Sequence, residues 1–120
     1  MDNKINYLKE NGIDYDTALN YMGDYETFNE ILIDFYNGID DQLKELETVK
    51  NSNDIANYAI LVHALKSNYR SLGISKYAEV AYTHELESKA GNSSFVNEHF
   101  DELLESKEEF KSIVNKYLSM

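Results

Sequence analysis

"DYETFNEILIDFYNGIDDQLKELETVK" (residues 24–50) decides the fold class. Its apolar side chains Phe28, Ile31, Leu32, Phe35, Ile39, Leu43, Leu46 and Val49 recur at steps of three and four residues, the spacing of one stripe along one helix. Gly38 weakens that helix without stopping it. At about 1.5 Å per residue it is roughly 40 Å long, the length of an element in an elongated bundle.

The same periodicity continues outward on both sides. "NSND" (residues 51–54) is a turn with Asn53 or Asp54 available as N-cap, opening a second helix that runs to Leu72 and stops at Gly73. A third helix spans about Ser75 to Ala90, with Gly91 and Asn92 as its stop. Ser93 or Ser94 then caps a final helix whose stripe is Val96, Phe100, Leu103, Phe110, Val114 and Tyr117; Lys107 interrupts the stripe and snorkels. Residues 1–23 carry one or two short helices, broken at Gly12 and Gly23, that cap one end. No internal repeat, linker or composition break divides the chain, so residues 1–120 read as one domain. Four long amphipathic helices joined by loops of about 2–4 residues predict an all-α, antiparallel up-down four-helix bundle over residues 24–120. Such a fold does not by itself name a function.

Composition narrows the possibilities. The 120 residues include no cysteine, which excludes disulfides, iron–sulfur clusters and thiolate zinc sites. No apolar run approaches the roughly 20 residues of a membrane span, and the N-terminus is too polar for a secretory signal, so a soluble, unprocessed, cytoplasmic chain without membrane insertion is expected. Acidic residues outnumber basic ones 22 to 11 for a net charge of −11, which repels a phosphate backbone and argues against nucleic acid as a partner. The 5 glycines are isolated from one another, so they cannot build a Gly-rich phosphate cradle.

Within "NYAILVHALKSNYRSLG" (residues 57–73) a single histidine sits mid-helix. At about 100° per residue, Ile55, Tyr58, Leu61, Val62, Leu65, Tyr69 and Leu72 gather on the core side and His63 points away from it. Ala56, Ala59, Lys66, Ser67 and Arg70 share the side of His63, with Ile60 at its edge. A metal site in a bundle calls for inward Glu-x-x-His pairs, but Ile60, Ala81 and Val96 stand three residues before His63, His84 and His99, and no metal is expected. A lone histidine on a polar face is ordinarily just solvated. Here Lys66 and Arg70 put positive charge on its stripe in an acidic protein, while Ala56, Ala59 and Ser67 keep the surface around the ring low. Phosphoryl transfer needs these things: an unencumbered nucleophile open to in-line attack, and fixed cations for the equatorial oxygens. The attacking ring must be neutral at one nitrogen, the ordinary state of an exposed imidazole near neutral pH.

"VHALKSNYRSLG" (residues 62–73) resembles the His-x-x-Lys-[Gly/Ser] … Gly signature of histidine-containing phosphotransfer (HPt) domains of bacterial two-component phosphorelays. The likeness extends to "NGIDYDTALNYMGDYETFNEILIDFY" (residues 11–36), similar to the entry segment of such domains, and to "ISKYAEVAYTHELESKAGN" (residues 74–92), similar to the helix that follows the phosphohistidine helix. The resemblance implies that His63 is the phosphoacceptor and Lys66 the cation near the phosphoryl group. Ser67 is the small residue that grants access, where many members have glycine, and Gly73 is the glycine that closes the helix. Glu85 falls where members carry a glutamate or glutamine facing the histidine; there it would accept a ring N–H and set the tautomer. His84 departs from the family pattern, whose residue there is usually apolar, and reads as a partly buried packing residue.

By the same resemblance, Ala56, Ala59, Ile60 and Ala64, with Arg70, form the docking surface for receiver domains of response regulators or hybrid histidine kinases. The implied function is that of a monomeric covalent carrier, not an enzyme, which takes a phosphoryl group from one receiver aspartate onto His63 and passes it to another. It needs no cofactor of its own, since Mg2+ comes with the receiver. The alternative is a helical protein–protein adaptor of the same fold in which His63 is never phosphorylated.

Overall fold

The computed structural model describes residues 2–120, with side chains from residue 3 onward. Six helices follow one another: α1 (Asp2–Glu10), α2 (Tyr15–Met22), α3 (Tyr25–Asn51), α4 (Ile55–Ser71), α5 (Ser75–Lys89) and α6 (Ser93–Ser119). The described chain is all-α, with no strand. None of its helices is long and apolar enough to cross a membrane.

Local chemistry sets where each helix begins. Asp14, Asp24, Asp54 and Asn92 each accept, through a side-chain oxygen, the backbone N–H three residues on: Thr17, Thr27, Asn57 and Phe95. These caps satisfy donors that the first turn leaves free. The cap of α6 is therefore Asn92, not the expected Ser93 or Ser94, because Asn92 both ends the preceding turn and reaches the Phe95 N–H at 3.1 Å.

The three links among α3 to α6 are each three residues long. In all three the middle residue has a left-handed backbone: Asn53 (φ +57°), Gly73 (φ +75°) and Gly91 (φ +77°). The chain then turns two N–H groups back onto the helix just finished. After α3, for instance, Asn53 and Asp54 donate to the carbonyls of Lys50 and Val49 at 3.1 and 2.8 Å. Consequently α4 closes at Ser71 and α5 at Lys89, one residue before the expected Leu72 and Ala90.

Packing follows the stripes. Phe28, Leu32, Phe35, Ile39, Leu43 and Leu46 of α3 meet Tyr58, Val62, Leu65 and Tyr69 of α4 and Val96, Phe100, Leu103, Phe110, Val114 and Tyr117 of α6 in one core. Burial of each large side chain is worth about 1.5–3 kcal/mol. The ring of Phe35 packs on those of Tyr69 and Phe110 at 5.2 and 5.0 Å between centroids. Ile31, expected in the stripe, is exposed instead. Leu32 takes the inward position of that turn and turns its neighbour about 100° outward. The stripe of α6 lapses at Ser106, whose hydroxyl donates to the Glu102 carbonyl at 2.9 Å, and Lys107 reaches out to Asp40 of α3 at 3.2 Å.

Helices α3 to α6 pack in a closed sequence of neighbours, α3 on α4, α4 on α5, α5 on α6 and α6 back on α3. With 27 residues each, α3 and α6 are about 40 Å long, whereas α4 and α5, with 17 and 15, reach only about 25 Å. The short N-terminal helices occupy the remaining length: α1 lies on α6, α2 on α3, and Leu8, Ile13 and Ala18 complete the core there. They are fastened to the α4–α5 link, where the Asp14 N–H donates to the Gly73 carbonyl at 2.8 Å. A Cβ on Gly73 would stand 2.3 Å from the Asp14 carbonyl oxygen, so only glycine fits.

Candidate functional site

Helix α5 is apolar inside only over its first half. Its buried positions run Tyr77, Ala78, Ala81 and then His84, Glu85 and Ser88. The polar half faces α4, which runs antiparallel to it, as the successive pairs Arg70 with Glu79, Lys66 with Tyr82 and His63 with Glu85 show.

Glu85 is the centre of the site. Its side chain is 3% exposed, and it meets three donors: the His63 ring at Nδ1 (2.8 Å to Oε2), Lys66 Nζ (2.6 Å to Oε1) and Lys89 Nζ (2.7 Å to Oε2). Oε1 has no further hydrogen-bond partner among the described residues, so the Lys66 ion pair is its sole compensation for burial. Burial by itself would raise the carboxyl, but the ammonium groups of Lys66 and Lys89 and the hydrogen bond from His63 outweigh it and hold the group down at about 2. Glu85 is therefore a carboxylate at any physiological pH.

That state fixes the tautomer of His63. A carboxylate only accepts, so Nδ1 of the ring carries the proton and, in the neutral ring, Nε2 holds the free electron pair. The His63 side chain is 55% exposed, and Nε2 has no partner among the described residues. The arrangement presents one oriented nucleophilic nitrogen to solvent. One carboxylate and two ammonium groups leave an excess of one positive charge beside it.

The cations are not placed as the sequence implies. Lys66 is not a solvent-facing charge on the histidine stripe: its side chain is 11% exposed, it reaches across the seam to Glu85, and its ammonium lies 5.1 Å from the centroid of the Tyr82 ring. Arg70 is exposed, 3.7 Å from Glu79, with its guanidinium carbon 5.8 Å from the centroid of the same Tyr82 ring. Ala56, Ile60, Ala64 and Ser67 are exposed around the ring, with Ile60 at 65%. Ala59 is not part of that surface; it is buried, at 8% exposure. Gly73 lies at the far end of α4, where it closes the helix.

No family model, curated protein or solved structure matches this chain.

Two features of the site lie outside the sequence expectations. Lys89 joins Glu85 from one turn further along α5, and its signal is the Glu-to-Lys spacing of four residues on one helix. His84, expected to be partly buried, is completely so. Its Nδ1 lies 2.9 Å from the Tyr58 hydroxyl of α4 and its Nε2 3.2 Å from Glu102 of α6. Glu102 also faces His99 at 3.5 Å, whose ring stacks on Phe95. No group of three or more His, Asp or Glu side chains that could hold a metal ion occurs among the described residues.

Proposed function

We propose that this chain is a phosphotransfer domain of the HPt type, with α3–α6 as an antiparallel up-down four-helix bundle and His63 as the phosphoryl carrier between receiver-domain aspartates. The observation that carries this reading is the Glu85 carboxylate on Nδ1, which leaves Nε2 as a half-exposed electron pair on an open helix face. A nucleophile presented in this way suits a partner that brings its own acidic, Mg2+-bearing pocket to it.

In the transfer, the Nε2 electron pair attacks the phosphorus of an aspartyl phosphate, the N–P bond forms, and the bond from phosphorus to the aspartate oxygen breaks to return a carboxylate. No proton has to leave. The ring keeps its Nδ1 proton, acquires positive charge, and is stabilised by Glu85 in the same hydrogen bond that oriented it. Lys66 and Lys89 offset the Glu85 charge, so the incoming phosphoryl oxygens meet a site that is not net negative, in contrast to a chain carrying −11. Donation to a second receiver is the same step reversed.

The test is chemical. Incubated with a phosphorylated receiver and Mg2+ in ATP-free buffer, the chain should acquire an acid-labile, alkali-stable phosphate, and His63→Gln should acquire none. Equal labelling of the variant and its parent would end the carrier reading; a parent that binds receivers and never takes label would make it an adaptor.

A further inference from the structure

Tyr58, His84 and Glu102 form a second polar chain, at a place where an apolar core would be simpler. Tyr58 and His84 are completely buried, and the chain crosses three helices, from α4 through α5 to α6. Its proton order is determined by its ends. Glu102 as a carboxylate accepts only, so His84 donates from Nε2–H, and its bare Nδ1 accepts the Tyr58 O–H. His84 thus holds the tautomer opposite to that of His63. Burial lowers its affinity for a second proton, in keeping with a ring that stays neutral.

Position gives this chain its meaning. His84 immediately precedes Glu85 on α5, and Tyr58 lies five residues before His63 on α4, so Tyr58–His84 and His63–Glu85 are neighbouring ties across one helix seam. Between them they leave α5 little freedom to turn or slide. Apolar contact is non-directional and decides which face of a helix is inside, whereas buried hydrogen bonds have preferred angles and decide its rotation and height. The inward face of α5 after Ala81 has no apolar side chain with which to set them otherwise.

We infer that His84 is a positioning residue for the phosphotransfer site: locked between Tyr58 and Glu102, it sets the rotation of α5 that puts the Glu85 carboxylate on Nδ1 of His63. The inference rests on the phosphotransfer reading for its kinetic consequence alone; the tautomer it sets is measurable without any partner. Imidazole 15N spectra of the parent chain should show His63 protonated at Nδ1 and His84 at Nε2. In Tyr58→Phe, and more strongly in His84→Leu, the His63 ring should shift to a mixture of both tautomers, while helix content is retained.

Receiver-to-His63 transfer should slow in these variants on the order of tenfold, within the about hundredfold that a misplacement of about 1 Å can cost. A parent His84 protonated at Nδ1 would overturn the inference without any variant. So would a folded Tyr58→Phe or His84→Leu chain in which His63 keeps its parental tautomer. A tautomer that shifts in a chain that never accepts phosphate upholds the positioning role and removes the phosphotransfer reading instead.

Discussion

At the scale of single residues the decisive one is Glu85, a buried carboxylate shared by an imidazole and two ammonium groups. Its carboxyl sits at about 2 in the folded chain against 4.5 for the unperturbed group. The unfolded state therefore binds the proton first on acidification. The stability this group confers is fully present above about pH 4.5 and is lost as pH falls toward 2. Urea unfolding between pH 6 and pH 2.5 should show a steeper acid loss for the parent than for Glu85→Gln, and parallel curves would mean that the carboxylate is not held by its three donors. The sequence pointed to this residue through resemblance, and to the outward position of His63 through helical geometry. It did not reveal the burial of Lys66. Helical spacing fixes where a Cβ starts, but a lysine has four further bonds with which to fold back over the seam, and the buried charge on α5 that attracts it leaves no mark in a hydropathy pattern.

At the scale of elements, the ends of the helices were more legible than their inward faces. Glycine and Asx residues stop and start helices through local backbone geometry alone, so the breaks near residues 52, 73 and 91 could be placed from sequence to within one or two residues. The inward face of α5 could not be read from hydropathy, since half of it is His84, Glu85 and Ser88, and only the resemblance turned Glu85 toward the histidine and made His84 a partly buried residue. The two glycine turns that bracket α5 separate backbone from space. Gly73 and Gly91 have nearly the same φ, but a Cβ meets the Asp14 backbone at Gly73 and nothing within 4 Å at Gly91. Gly91→Ala should cost about 1 kcal/mol, the left-handed penalty alone. Gly73→Ala should cost about 2–4 kcal/mol, because overpacking adds to it. Thermal melts of the two variants give the difference directly; equal midpoints would show that the α1–α2 connection yields at no expense.

At the scale of the whole molecule, helical periodicity predicted long helices and a shared core, and the closed ring of contacts among α3 to α6 realises that expectation of helix on helix. What periodicity could not supply was how residues 2–22, expected to cap one end, fit against the long helices, since they are too short and too polar to reveal which surface they cover. The lengths of the other helices explain it: α3 and α6 outrun α4 and α5, and Leu8, Ile13 and Ala18 close the core that would otherwise open to water. The hydrogen bond from Asp14 to Gly73 has a consequence for how the protein opens. Because the Asp14 amide proton is held by the α4–α5 link, it can exchange with solvent deuterium only when the N-terminal helices lift from that link. The amides of Asp14, Ala18 and Ile74 should accordingly exchange as one cooperative unit, with a common opening free energy and a common dependence on added denaturant. Early exchange at Asp14 and Ala18, with Ile74 still protected, would show instead that the first two helices come and go on their own.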